Sequence, residues 1–263
     1  MKHIHLKHWI PSQRLDRNGV VIPYFAENGG GYTLEAELGI IPNGYSEPDF
    51  LGWEIKQFGI KNLMDAFNTH RLTLLTPEPS GGFYVSSGVS EFVKRYGHRS
   101  VTRPDRYDFT GLHVFGQRCA STGLRLEVQG YDLQKKCISD DAGSIALIDI
   151  NGRIAARWDY SKILEHWSRK HANAAYVPSL SRKADAGKQY RYGNVIRLYN
   201  STNINMFMNA ICLGEVYYDP GIKLENASTR PKTKRRSQFR VKACDLSILY
   251  AESEEVDLLT WSP

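Results

Sequence analysis

Long apolar runs, paired cysteines and internal repeats are all missing from this 263-residue chain, and each absence removes a class of answer. No stretch of about 18 apolar residues occurs, so no membrane-spanning helix is expected. The opening residues, MKHIHLKHWIPSQR, lack the apolar stretch and small-residue cleavage site of a signal peptide, and the chain reads as a soluble, cytoplasmic protein. Its four cysteines, Cys119, Cys137, Cys212 and Cys244, lie far apart with no Cys-x-x-Cys spacing. That pattern argues against a zinc site or a disulfide framework and predicts reduced core residues. Gly29 to Gly31 are not followed by the Gly-Lys-Ser/Thr of a phosphate-binding loop, so nucleotide binding is not expected; close approach of backbone to a partner, or a hinge, stays open. His3, His5 and His8 read as surface residues rather than metal ligands.

What is present is a locally concentrated positive charge. The net charge is +6, yet residues 223 to 242, KLENASTRPKTKRRSQFRVK, hold eight basic side chains (Lys223, Arg230, Lys232, Lys234, Arg235, Arg236, Arg240 and Lys242) against one acid, Glu225. That segment alone is +7 and the remainder −1. One short stretch supplying the whole excess predicts that a polyanion is met at a defined place. Lys232 and Lys234 suit phosphate contacts, and Arg235, Arg236 and Arg240 suit bidentate readout of guanine. A solvated loop without a specific role is the alternative.

The patterning predicts mixed helix and strand. Leu34 and Leu38 share a helix face, Thr33 can cap and Gly39 can terminate, giving a short helix over 33–38. Helices are also expected over 61–71, 90–97, 161–172 and 204–214, and in LSILYAE behind Asp245. LTLLT, GLHVFG, LRLEVQGY, SIALIDI, RIAARW, NVIRLY and QFRV read as strands, with Asn151-Gly152 marking a hairpin. Tyr190, Tyr192, Tyr217 and Tyr218 read as packing residues.

The most informative stretch is PDFLGWEIK, residues 48 to 56, where charges interrupt an apolar strand. Side chains alternate along a strand, so Glu54 and Lys56 share a face, roughly 6.5 to 7 Å apart along the chain. Asp49 has the wrong parity to join them in an unbroken strand, and Gly52 can supply the bulge or tight bend that re-aims it. Glu-x-Lys alone carries no information, because 28 acids and 15 lysines in 263 residues give about 1.6 acid-x-Lys triplets by chance. An edge strand with solvated charges of both signs explains the same residues.

The flanks add what the triplet lacks. Residues 29 to 58, GGGYTLEAELGIIPNGYSEPDFLGWEIKQF, resemble the MvaI/BcnI family of restriction endonucleases, relatives of the MutH nickase within the PD-(D/E)xK nucleases. The resemblance rests on a glycine-led TLE helix, LG, a loop with asparagine, then PDF-x-G-x-EIK, with weaker echoes in LTLLT and in FRV followed by DLSILY. It implies an α/β (α+β) restriction-endonuclease-like core, a mixed sheet flanked by helices, with a catalytic lobe over about 1–115 and a mostly DNA-recognition lobe over about 116–263. Carried over by position, Asp49 and Glu54 become metal-binding carboxylates and Lys56 the catalytic lysine. Glu35 matches the auxiliary acid, with Glu37 the less favoured alternative, and the main-chain carbonyl of Ile55 completes the ligand set. The chemistry suits those types: hard oxygen donors hold Mg2+, with Mn2+ as a substitute, and a lysine beside the phosphate orients or deprotonates water and offsets developing charge. The resemblance further implies a prokaryotic type II enzyme that acts on double-stranded DNA as a monomer by successive nicks. A methyltransferase is its implied genetic partner. A MutH-like repair nickase and a non-catalytic DNA-binding protein of the same fold are the rivals.

Overall fold

A computed structural model of the chain describes residues 1–42 and 50–262. Two compact units emerge, each assembled from separated stretches. The first comprises Met1–His70, Ser168–Thr202 and Tyr250–Pro263, and the second Arg71–Trp167 and Asn203–Leu249. A single cut near residue 115 therefore does not describe the division, because the chain returns twice to the unit that holds its N-terminus.

The first unit is built on a mixed six-stranded sheet. Its spine is the long strand Asn173–Ala184, paired antiparallel with Gly187–Tyr192 along its second half and with Val195–Asn200 along its first. These pairings form one long hairpin, interrupted where the Gly193 N–H donates to the Pro178 carbonyl at 2.8 Å. Ile10–Pro11 and Glu252–Asp257 extend the sheet at its two ends, and Glu54–Gly59 joins Asn173–Ala184 in parallel. Alternation sorts the faces. Ile55, Val177, Tyr190, Tyr192, Ile196 and Val256 pack with Leu34 and Ile4 into an apolar cluster beneath the helix Gly29–Glu37. Glu54, Lys56, Tyr176 and Tyr199 take the opposite face.

The second unit is antiparallel throughout its described strands. Arg125–Gln129, Ser144–Ile148 and Ile154–Asp159 form one sheet, Arg71–Leu75, Phe239–Lys242 and Tyr217–Tyr218 a second, and His98–Arg99, Arg106–Thr110, Gly221–Glu225 and Lys232–Lys234 a third. Its core is aromatic. Trp158 lies against Tyr218 and Phe239, and its indole N–H reaches the Pro77 carbonyl at 3.0 Å, satisfying the one polar atom that burial would otherwise strand. No helix among the described residues is long and apolar enough to cross a membrane.

Most predicted elements are present, and the departures have local causes. The helix expected over 33–38 begins earlier, at Gly29, so Thr33 lies inside it and accepts from the Gln13 N–H at 3.1 Å instead of capping. Residues 61–71 form only the short 3-10 turn Leu63–Asp65, because Asn62 accepts from Met64 N–H and donates to Asp65, offering the backbone a local alternative to helix. GLHVFG makes isolated bridges, His113 with Tyr218 and Phe115 with Leu126, rather than a strand. The expected terminal helix is a 3-10 segment, Ala243–Leu249, followed by the unanticipated strand Glu252–Asp257. All four cysteines are free, but only Cys119 is buried; Cys137 and Cys212 are half-buried and Cys244 is exposed, so the expected core placement holds for one of the four.

Candidate active site

Tight backbone geometry leads into the Glu54–Gly59 strand. Phe50 and Trp53 exchange both backbone hydrogen bonds, at 2.9 and 2.8 Å, across Leu51 (φ 49°) and Gly52 (φ +82°). Two successive positive φ values make a two-residue reversal, and glycine is the residue that adopts one at least cost. The bend expected at Gly52 is thus a full turn, and strand parity ceases to relate residue 49 to Glu54. Asp49 itself lies outside the described residues, and the Asn173 side-chain amide donates to the Gly52 carbonyl at 3.2 Å.

Glu54 and Lys56 do share a face, and the Lys56 Nζ donates to Glu54 Oε1 at 2.9 Å. Glu54 is only 5 % exposed. A solvated edge charge does not look like this, so the edge-strand alternative loses its main support. Lys56 is partly buried, and the desolvation of Glu54 offsets part of the pair's Coulomb gain, so the pair adds little stability.

Glu35 stands on the helix covering the other face of the same strand, its carboxylate lying back toward Gly31. The alternative, Glu37, is committed elsewhere: Lys7 Nζ approaches at 2.7 Å and Gln13 Nε2 donates at 2.8 Å. That leaves Glu35 as the better candidate on the helix. The glycines before it serve packing. A Cβ on Gly29 would stand 2.4 Å from Ser12 Oγ, and one on Gly30 would stand 2.8 Å from Gln57 Oε1, so both let the helix sit close on the sheet. His5 is buried, with Nδ1 2.8 Å from the Tyr192 carbonyl, and is a structural residue rather than a surface one. Tyr190, Tyr192, Tyr217 and Tyr218 are all buried, as packing residues should be.

Among the described residues, no group of three or more His, Cys, Asp or Glu side chains is gathered closely enough to hold a metal ion. The donor types nevertheless suit a hard divalent cation: a buried carboxylate at Glu54 and the adjacent Ile55 carbonyl on one strand, while Glu35 stands on the helix that covers the face opposite Glu54.

The basic segment spreads over Gly221–Glu225, Lys232–Lys234 and Phe239–Lys242 in the second unit. Its members are not equivalent. Arg230, Lys232 and Arg236 are exposed and make no ion pair among the described residues. Lys234 meets Glu225 at 3.1 Å, Arg235 meets Glu78 at 3.7 Å, and Lys242 meets Asp245 at 3.8 Å. Arg240 is half-buried and donates to Asp219 Oδ2 and to the Arg71 carbonyl, each at 2.8 Å. These two bonds tie it to the fold of the second unit more closely than the exposed members.

A second basic concentration escaped the charge count because acids elsewhere mask it. Residues 168–202 hold seven basic side chains and one acid. In the long hairpin, Arg182 and Lys183 are exposed, and Arg182 lies over the Trp9 ring at 4.3 Å. Counting charge over 20- to 40-residue windows would have found it. Taken whole, the first unit carries 13 basic and 13 acidic side chains and the second 21 and 15, so the net positive charge belongs to the second unit.

Comparison with known proteins agrees with this architecture. The family model described as the MvaI/BcnI restriction endonuclease family matches residues 1–250. Among solved structures, restriction endonuclease MvaI in complex with its cognate DNA substrate superposes with a TM-score of 0.67 at 18% identity, covering 97% of this chain and 94% of that one. MvaI in the absence of DNA gives a TM-score of 0.50 at 13% identity with the same coverage. At such identities the likeness is one of fold, and it bears out the mixed α/β restriction-endonuclease-like class. A comparison with curated proteins gave no match. With a family model spanning nearly its whole length, this chain belongs to the MvaI/BcnI restriction endonuclease family.

Proposed function

We propose that this chain is a type II restriction endonuclease that hydrolyses phosphodiester bonds of double-stranded DNA at a specific short sequence. The observation that carries the reading is the pairing of buried Glu54 with half-buried Lys56, set on a strand entered by the Leu51-Gly52 turn, in a chain of this family. In this reading Asp49, Glu54, the Ile55 carbonyl and Glu35, directly or through water, hold Mg2+, with Mn2+ able to replace it. The cation, when bound, supplies positive charge beside the attacked phosphate. Lys56 Nζ, donating to Glu54 Oε1, fixes that carboxylate beside the lysine. Lys56 orients the attacking water, helps to take its proton and offsets negative charge as the phosphate becomes pentacovalent. Arg230, Lys232, Lys234, Arg235, Arg236 and Lys242 hold the duplex, chiefly through phosphates. The enzyme acts in the prokaryotic cytoplasm as a monomer, nicking the strands in turn, beside a methyltransferase that protects the same sequence in the host.

Incubation of purified protein with unmethylated plasmid and Mg2+ tests this. Discrete linear fragments formed by the protein alone, and lost with chelator, are expected. Nicking that stalls without a mismatch-recognition partner would instead favour a repair nickase, and intact plasmid under all divalent cations would favour a non-catalytic binding protein.

A further inference from the structure

The turn between Phe50 and Trp53 carries a residue that its own geometry disfavours. Both central residues hold positive φ, 49° at Leu51 and 82° at Gly52, between two reciprocal backbone hydrogen bonds, which is the pattern of a type I′ turn. Glycine suits the second position. At the first, asparagine, aspartate or glycine adopts the left-handed region with little strain, whereas the leucine Cβ crowds the following carbonyl oxygen. Such strain persists where function requires it, and it gathers at sites that meet a ligand.

Packing within the chain does not offset that strain. Leu51 is 86 % exposed, and among the described residues a Cβ built on Gly52 would meet nothing within 4 Å, so the turn projects from the first unit. The bond from the Asn173 amide to the Gly52 carbonyl ties the turn down while leaving the Leu51 side chain in solvent. A lone exposed leucine is ordinary on a protein surface. This one is also held in a left-handed backbone, and Phe50 is exposed beside it, so the free protein carries both strain and apolar surface in water.

The place of the turn indicates what covers it. Leu51 precedes Glu54 by three residues, a reach of at most about 10 Å. A duplex whose phosphate is attacked beside Glu54 and Lys56 has grooves about 6 and 12 Å wide, so one of them lies within reach of the turn. We propose that Leu51 is a DNA-contacting residue, its side chain entering the groove that adjoins the attacked phosphate and packing on base edges there. The inference rests on the nuclease reading above. Apolar side chains make such contacts against thymine methyl groups or as wedges at base steps. The contact carries no charge, so it adds affinity without adding to the salt dependence that lysine and arginine bring.

Leu51→Asn suits the turn better and removes the apolar group, and Leu51→Met keeps an apolar group of similar size. Both are compared with wild type in thermal midpoint, in oligomeric state by size-exclusion chromatography, and in affinity for a labelled duplex in Ca2+ from 50 to 200 mM salt. The duplex spans a cut mapped by sequencing the ends of unmethylated plasmid cleaved in Mg2+. In Leu51→Asn the midpoint should rise by about 2–4 °C as strain is released. Its duplex affinity should fall by about tenfold at every salt concentration, with the log–log slope unchanged. Leu51→Met should stay within about threefold of wild-type affinity. Wild-type affinity in Leu51→Asn would overturn the contact alone, and loss of a wild-type dimer in the same variant would give the turn to a second copy of the chain instead. Affinity and midpoint falling together would also overturn it, because a packing role explains both. Wild-type protein that cuts no plasmid would overturn the nuclease reading and this inference together.

Discussion

Replacing Arg230, Lys232 and Arg236 together by alanine separates two kinds of basic residue that the sequence presents as one cluster. The three are exposed and free of ion pairs among the described residues, so their charges can meet phosphates without first leaving a carboxylate. Each lost phosphate contact lowers the slope of log K against log salt by about 0.9, so three lower it by about 2.7. Between 50 and 200 mM salt, wild-type affinity should then fall about 40-fold more steeply than that of the variant. Fluorescence anisotropy with a labelled duplex across this range measures both slopes. Because the replacements lie on the surface and leave no buried partner, the thermal midpoint should hardly move. An unchanged slope would remove these residues from the interface and return the segment to the solvated-loop reading.

The remaining expectations concern stability. Arg240→Ala should leave the salt slope unchanged but lower stability by about 1–3 kcal/mol in denaturant titration, since Asp219 and the Arg71 carbonyl both lose a donor. Gly52→Ala should cost about 1–2 kcal/mol by forcing a side chain into the left-handed region, while nothing stands within 4 Å of the added methyl; a neutral result would refute the turn. Burial works to raise the Asp149 pKa, but backbone N–H groups of Arg153 and Asn151 and the Tyr96 hydroxyl outweigh it and hold the group below its ordinary range. A depressed pKa gives stability that is present above the unfolded value, about pH 4, and is lost as pH falls through the folded one. Asp149→Asn should therefore be less stable than wild type at pH 6, with thermal midpoints converging as the pH drops below about 4.

How much the sequence discloses differs between the two halves of the site. Glu54, Lys56 and the special backbone at Gly52 were legible because alternation and glycine preference are local rules. The strand that supports them was not: Asn173–Ala184 pairs with Glu54–Gly59 from far along the chain, and AAYVPSLS lacks the alternation of a half-exposed strand because both its faces are covered. Tyr176 comes opposite Lys56 only through that pairing, so no spacing rule could place the two together. Glu252–Asp257 was missed for the opposite reason, since its row of exposed acids suits an edge strand that resists aggregation but hides the strand pattern. In the basic segment the charge was plain in the sequence, whereas the commitment of Arg240 depends on Asp219 and Arg71, which only the fold brings to it.

The central claim is that Lys56 and the carboxylates around it cut DNA while other residues hold it. The most direct test compares Lys56→Ala with wild type on the same unmethylated plasmid in Mg2+, measuring single-turnover cleavage and, in Ca2+, duplex affinity. Cleavage should disappear while affinity stays within about threefold of wild type, as expected when a transition-state contact is removed and ground-state binding is kept. Cleavage persisting at the wild-type rate in Lys56→Ala would contradict the account.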